Sequence, residues 1–335
     1  MPDIQLSIII VNYNSAQLVC DCLQSIYAQR ATISFEIIVV DNHSEDGSKE
    51  KITNLFPELV WVQMDYNAGF ARANNAGIKK STGKIVLLLN GDTIIENNAI
   101  EKCVHNFYAS EYVACGVQLL NPDGSPQISG NYAMKGGLNY LLPLPFIGII
   151  LKTFASLFGV KKPNVPNASG IVEVDWINGA FLMVKKEAVY KAGYLDEDFF
   201  LYAEEAEWCS RLKKTGKLCI YGDINVIHLQ GETSNETFGS TGKGYTNLFD
   251  RKGHQIMLSN LVRIRKEFGV FWFLLISSVY IFEIPVFFTG VLISKIFLSK
   301  KYTFLQVKNY AENVFGIIKI SPKIISGKPH FYKVL

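Results

Sequence analysis

The stretch Lys84-Ile-Val-Leu-Leu-Leu-Asn-Gly-Asp-Thr93 decides how the rest of the chain is read. Its apolar run stops at Asn90-Gly91-Asp92. A short, uninterrupted run of this kind suits a strand covered on both faces, as in the parallel sheet of an α/β domain. In such sheets ligands lie at the carboxyl ends of the strands. Asp92, placed there after a glycine that lets the backbone turn tightly, is positioned to hold a divalent cation through oxygen. Asn-Gly-Asp is equally the composition of a plain turn, so the surrounding chain has to separate the two.

Working outward, Leu6 to Val11 is a β-branched run followed by the turn residues Asn12-Tyr-Asn-Ser15, with Ser15 as the expected N-cap of an amphipathic helix through Leu18, Cys22 and Ile26. A second strand, Glu36 to Val40, ends at Asp41-Asn-His-Ser-Glu-Asp-Gly47, and Val60 to Gln63 reads as a third. Asn67-Ala-Gly-Phe-Ala-Arg-Ala-Asn-Asn-Ala-Gly77 is a glycine-bounded turn entering a helix. Strands spaced by helical patterns predict right-handed βαβ units and a mostly parallel sheet. Asn12, Asp41 and Asp92 then share one rim, where a nucleotide would lie. No Gly-x-Gly-x-x-Gly follows the first strand and no Gly-Lys-Ser/Thr occurs, which disfavours a dinucleotide-binding dehydrogenase and a P-loop enzyme.

At 335 residues the chain exceeds a typical single domain. A net charge of +3 gives no reason to expect a nucleic-acid partner, whereas 49% hydrophobic residues, with 22 Phe and 16 Tyr, point to apolar surface beyond one core. The six cysteines show no Cys-x-x-Cys pairing and read as reduced core thiols. The chain enters its first strand with no basic leader, so a cytoplasmic location is expected.

Residues 131–170 are rich in Gly, Pro and aromatics and read as a mobile or interfacial loop region. Glu204 and Glu205 open a helix expected from Glu204 to Lys214. Acidic residues there stabilise a helix dipole without further purpose. Beside the aromatic Phe199-Phe-Leu-Tyr202, either could also serve as a general base with a usefully raised pKa. Glu207 and Arg211, four apart on that helix, are expected to form a surface ion pair. His228 ends another apolar run, placed to share a metal with a carboxylate from a second strand.

Phe268 to Leu298 is almost wholly apolar, broken by Glu283 and Pro285 and flanked by Arg263, Arg265 and Lys266 before it and Lys295, Lys300 and Lys301 at its far end. Its length could span a bilayer. Pro285 near its centre favours two shorter helices in the membrane interface, and a buried helical hairpin is the soluble alternative.

Taken in order, Ser7-Ile-Ile-Ile-Val-Asn-Tyr-Asn14, Val39-Val-Asp-Asn-His-Ser-Glu-Asp-Gly47, Asn67-Ala-Gly-Phe-Ala71 with Asn74-Asn75, Leu88-Leu-Asn-Gly-Asp-Thr93, Phe199-Phe-Leu-Tyr-Ala-Glu-Glu205 and His228 resemble a family 2 glycosyltransferase, most closely its rhamnosyltransferase-like branch. The resemblance covers about residues 5–235. It implies an α/β GT-A (nucleotide-diphospho-sugar transferase) fold with a mostly parallel central sheet, over residues 1–240, with 241–335 as an apolar, membrane-associating helical segment. It further implies a nucleotide-diphosphate sugar donor, best represented by dTDP-rhamnose, a divalent cation (Mg or Mn) and inversion at the anomeric carbon. Position by position, Val11 and Asn12 would border the base and ribose, Asp41 would hydrogen-bond the nucleotide, and Asn67, Arg72 and Asn74 would line the diphosphate-sugar side. Asp92 and His228 would hold the metal, with Asn90 where the broader family has Asp.

Glu205 falls where the family commonly has an Asp as the base, and this departure leaves Glu204 as a substitute. A lipid-linked or oligosaccharide acceptor at the inner face of the cytoplasmic membrane, with the enzyme held there peripherally or monotopically, would suit the C-terminal segment. The different-class alternative is a non-catalytic sugar-nucleotide or glycan-binding subunit.

Overall fold

The computed structural model describes residues 4–29, 32–132, 137–159, 163–229, 235, 237–240, 247–296 and 302–334. Lys300 and Lys301, expected to flank the apolar run, lie outside the described residues, as do 241–246, which open the expected C-terminal region. The chain divides into two compact units. The first comprises 1–134, 163–200 and 204–233, and the second 135–162, 201–203 and 234–335.

The first unit alternates strand and helix from its start: β1 Leu6–Asn12, α1 Ala16–Tyr27, β2 Phe35–Asp41, α2 Ser48–Leu55, β3 Val60–Gln63, α3 Gly69–Lys80 and β4 Ile85–Asn90. It continues with β5 Thr93–Ile94, α4 Ala99–Tyr108, β6 Tyr112–Leu120, β7 Gly130–Asn131, β8 Asn164–Val165, β9 Ile171–Val174, β10 Trp176–Ile177 and β11 Phe181–Lys185. Among the described residues a nine-stranded sheet runs β3-β2-β1-β4-β11-β6-β12-β5, where β12 is Lys217–His228 and β9 also pairs with β12. The strands β3-β2-β1-β4 are all parallel. Beyond β4 the sheet turns mixed, because β11 runs antiparallel to both β4 and β6. The small strands β7, β8 and β10 form a separate three-stranded sheet.

The unbroken apolar character of β4 follows from its place in the middle of the sheet. Leu87 and Leu89 pack into one core with Val19, Leu23 and Ile26 of α1, whereas Val86 and Leu88 face the opposite core with Ala71 and Ile78 of α3. Both faces are dry, so alternation is absent. All six cysteines are free and buried, as composition predicted.

Local expectations change in the first unit. Ser15 stands at the N-cap position of α1 but makes no capping bond, and its hydroxyl donates to Asn12 Oδ1 instead. Asp46 Oδ2, thirty residues along, accepts from the Ala16 amide. The Glu207–Arg211 pair is not a surface pair. Glu207 is buried in α7, Glu204–Leu212, and takes both arms of the guanidinium at 2.7 and 2.6 Å. Arg211 also donates to the Ala192 carbonyl at the end of helix α6, Lys186–Ala192, so the pair ties two helices together.

The second unit carries α5 Ile147–Leu157, α8 Arg251–Phe268, α9 Val270–Ile296 and α10 Phe304–Ser326. Within the expected loop region, Gly137–Leu141 is a 3-10 helix and α5 is a regular helix. Pro285 does not divide the apolar run, since α9 is continuous through it. The exposed faces in this unit are apolar: Phe271, Phe282 and Ile296 on α9, Leu305 and Phe315 on α10, and Phe154 and Leu157 on α5.

Candidate active site

The rim of the first unit is built by strand register. Asn12 pairs with Asp41, Val11 with Asn90, and Asp41 with Gln63, so the ends of four adjacent parallel strands stand level. Asp41 is the hub. Its Oδ1 accepts from Asn12 Nδ2 at 2.7 Å, and its Oδ2 accepts from Gln63 Nε2 at 2.7 Å and from the Ser44 amide at 2.9 Å. Asn12 is fully buried, with its amide also bonded to Ser44 and Ser15, so it braces Asp41 from below. A cleft of about 550 Å³ opens beside Asp41, lined by Ser44, Ser48, Gln63, Met64 and Asp65 among others. Polar groups around a carboxylate in a concave site of this size suit a flat, hydrogen-bonding ring.

The Asn67 turn is held by Asn42, which bonds to the Asn67 side chain at 3.0 Å and to the Ala68 amide at 2.8 Å. Gly69 is required there. It has φ +78°, and a Cβ would come within 2.2 Å of the Phe200 carbonyl, to which the Phe70 amide donates. The turn therefore sits directly on the Phe199-Phe200 motif. Arg72 extends toward the Glu197 carbonyl and the Tyr66 hydroxyl, at 2.9 and 2.8 Å. Asn74 is buried on α3 with its amide returned to the Phe70 carbonyl, which places it inside the helix layer.

Gly91 serves a different purpose from the one its neighbours imply. Its backbone is not left-handed, but a Cβ would meet Val19 Cγ2 at 2.7 Å. Glycine allows β4 to end tightly against α1, and Asp92 follows. Strand β5 then pairs Thr93 with His228 at the end of β12, and the Leu229 amide donates to the Asp92 carbonyl at 2.9 Å. Asp92 Oδ1 lies 3.4 Å from His228 Nε2, and Asn90 Nδ2 lies 3.5 Å from the same nitrogen. Both side chains of the Asp92–His228 pair are nearly buried, at 10% and 8% exposure. If Nε2 is the unprotonated nitrogen, the carboxylate and the imidazole lone pair face each other as two acceptors, an arrangement that a positive species between them would complete. Among the described residues no third His, Cys, Asp or Glu joins them.

Glu204 and Glu205 begin α7, after Tyr202 and Ala203 in left-handed conformation at φ +71° and +68°. Non-glycine residues there carry strain of about 1–3 kcal/mol each. Glu204 is buried, and Glu205 is the more accessible of the two. The Glu205 side chain lies against Gly179, whose missing Cβ would stand 3.4 Å from Glu205 Cγ. One residue on, the Ala180 carbonyl accepts from the Asn90 amide at 3.0 Å. The segment 178–180 thus links the carboxylate of α7 to the end of β4.

Residues 7–165 match the family model described as Glycosyl transferase family 2. Over that stretch the chain is similar to the family. Proteins similar to it include the low-salt glycan biosynthesis hexosyltransferase Agl10 of Haloferax volcanii, 27% identical over 62% of this chain and 62% of its own length. The poly-beta-1,6-N-acetyl-D-glucosamine synthase of Staphylococcus aureus is 26% identical over 60% of this chain and 44% of its own length. The chain thus spans less than two thirds of these curated relatives. Among solved structures, GalNAc-T7 with UDP, GalNAc and Mn2+ matches 78% of this chain and 48% of its own at a TM-score of 0.53 and 12% identity, which shows the shared GT-A fold.

Strand ends and turn composition made Asp41, Asp92 and His228 visible in the sequence. Asn42, Gln63 and Gly179 were not, because each acts across the fold on a partner distant in sequence.

Proposed function

We propose that this chain is a family 2 glycosyltransferase, an inverting enzyme that moves a sugar from a nucleotide-diphosphate donor to an acceptor hydroxyl with a divalent cation bound. The observation that carries the reading is the near-buried Asp92–His228 pair at 3.4 Å, on the same rim as the Asp41 cleft. Asp41, held by Asn12 and Gln63, would receive the nucleoside, and the Asn67–Arg72 turn would meet the diphosphate. Asp92 and His228 would hold Mg or Mn, two ligands that leave the remaining positions to diphosphate oxygens. When bound, such a cation supplies charge neutralisation for the departing nucleotide diphosphate. Glu205 would accept the proton of the acceptor hydroxyl as its oxygen bonds to the anomeric carbon and the bond from that carbon to the diphosphate oxygen breaks.

The names of the relatives support a hexose-type donor, whereas dTDP-rhamnose rests on the motif resemblance. The exposed apolar faces of α5, α9 and α10 support attachment to a membrane surface and hence a lipid-linked acceptor. Helix α9 is 27 residues long with a mean hydropathy of 2.0, and 28% of its most apolar window is buried. At about 1.5 Å per residue it is long enough to cross roughly 30 Å of hydrocarbon. Its unbroken course removes the reason for two half-helices, while the apolar sides of α5 and α10 favour a face lying in the interface. Labelling of the two ends of α9 from opposite sides of sealed vesicles would overturn the monotopic reading in favour of a span.

The alternative, a non-catalytic sugar-nucleotide-binding subunit, is favoured by the two-residue ligand set and by Asn90. A panel of nucleotide sugars with and without Mn, read by thermal shift and by release of nucleotide diphosphate, separates the readings. Stabilisation by one donor together with nucleotide release supports the enzyme. Stabilisation without release under any acceptor supports the subunit, and no stabilisation defeats both.

A further inference from the structure

Gln127 lies between β6 and β7, 101 residues from His228, and both side chains are buried. The backbone carbonyl of His228 can only accept, so the Gln127 atom 2.7 Å from it is the amide nitrogen, which also donates to Asn121 Oδ1 at 2.8 Å. Gln127 Oε1 is therefore the atom 2.9 Å from His228 Nδ1. An amide oxygen cannot donate, so Nδ1 carries the proton and, in the neutral ring, Nε2 is left as a lone pair. That lone pair faces Asp92 Oδ1 and Asn90 Nδ2.

We propose that Gln127 is a positioning residue that fixes His228 as the Nδ1–H tautomer and thereby presents Nε2, beside Asp92, to a divalent cation. The cation half of this inference rests on the metal-assisted reading above, whereas the tautomer stands on the hydrogen bonds alone. A histidine that ligates metal through one nitrogen typically donates from the other to a fixed acceptor, and losing that acceptor lowers metal affinity by about 10–100-fold. Gln127 meets this requirement with an amide that cannot turn over, because reversing it would set its oxygen against the His228 carbonyl.

The test uses the full chain labelled with 15N in its five histidines, with His228→Ala to assign the signal. Long-range 1H–15N spectra of the metal-free protein, taken where the ring is neutral, are expected to show His228 as Nδ1–H alone. Gln127→Met, which keeps the bulk and removes the acceptor, is expected to shift His228 toward Nε2–H and to weaken Mn binding about tenfold or more, read from the EPR signal of free Mn. Gln127→Glu keeps an acceptor at Nδ1 but sets its second oxygen against the His228 carbonyl, and is expected to retain Nδ1–H at a cost in stability. An Nε2–H ring in the unmodified protein overturns the inference even if the variants fail to fold, as does an unchanged tautomer in Gln127→Met. An Nδ1–H ring in a protein that binds no Mn leaves the tautomer assignment standing and overturns the metal reading instead.

Discussion

Glu283, the one carboxylate within the apolar helix α9, accepts hydrogen bonds from the backbone amides of Phe146 at 2.7 Å and Ile147 at 3.0 Å, and so caps the first turn of α5. It is wholly buried within the second unit, and the charge that interrupts the hydrophobic run is turned away from the exposed face. Gly290, about two turns further along α9, leaves room for the Phe146 ring, which a Cβ would meet at 2.4 Å.

Replacing Glu283 by Leu would make α9 more hydrophobic yet less stable in its fold. Two buried amides would lose their acceptor at a cost of about 1–3 kcal/mol each. Chemical denaturation of detergent-solubilised protein is expected to show Glu283→Leu well below Glu283→Gln, which keeps one acceptor. Equal stability of the two variants would remove the capping role.

Glu205→Gln should separate binding from turnover. Loss of a general base lowers turnover by about 10²–10⁴-fold. Donor affinity, read by calorimetry, is expected to stay near that of the unmodified protein because the group acts on the acceptor. Full activity in this variant would shift the role to Glu204.

Gln63→Ala tests the bracing of Asp41. Removing a bond of 2.7 Å to one carboxylate oxygen should loosen nucleotide binding by about tenfold, the scale of a hydrogen bond to a charged group. The readout is the dissociation constant of the nucleoside diphosphate, measured without a sugar so that the acceptor side has no part in it.

Gly69→Ala is expected to destabilise the first unit by more than the roughly 1 kcal/mol of an ordinary glycine replacement, since left-handed strain and a close approach to the Phe200 carbonyl coincide. Thermal denaturation should show a clear fall in Tm, and an unchanged Tm would mean that the turn relaxes freely.

At the amino-terminal ends of the strands, Glu36 gathers Ser7, at 2.6 Å, together with the backbone and hydroxyl of Thr82. Burial pushes its carboxyl upward, but these hydrogen bonds outweigh it and hold the pKa below the ordinary value. A depressed carboxylate contributes stability above its unfolded pKa and loses it as pH falls through the folded one. Glu36→Gln should therefore be less stable than the unmodified protein at neutral pH, with the gap closing in acid. A pH-independent gap would exclude the ionised form as its source.

The parallel half of the sheet was legible because Ile8 to Val11, Ile37 to Val40 and Ile85 to Leu89 are each apolar on both faces and each end in polar turn residues. Such runs have few other stable placements. The mixed half was not, since nothing local tells β11 to run antiparallel between β4 and β6. The Glu207–Arg211 pair was visible by spacing but not by burial, because burial depends on α6 packing over it. Pro285 was overweighted for the same reason: a proline weakens an isolated helix, and packing within the second unit keeps α9 continuous.

The sequence by itself determined the strand ends at which Asp41, Asp92 and His228 stand, and with them the fold. Only the tertiary structure decided that Asp92 and His228 meet, that Glu205 rather than Glu204 is the more accessible carboxylate, and that Gln127 sets the face of the imidazole. Strand periodicity is a local property of the chain, whereas a hydrogen bond between residues a hundred positions apart depends on which strands become neighbours.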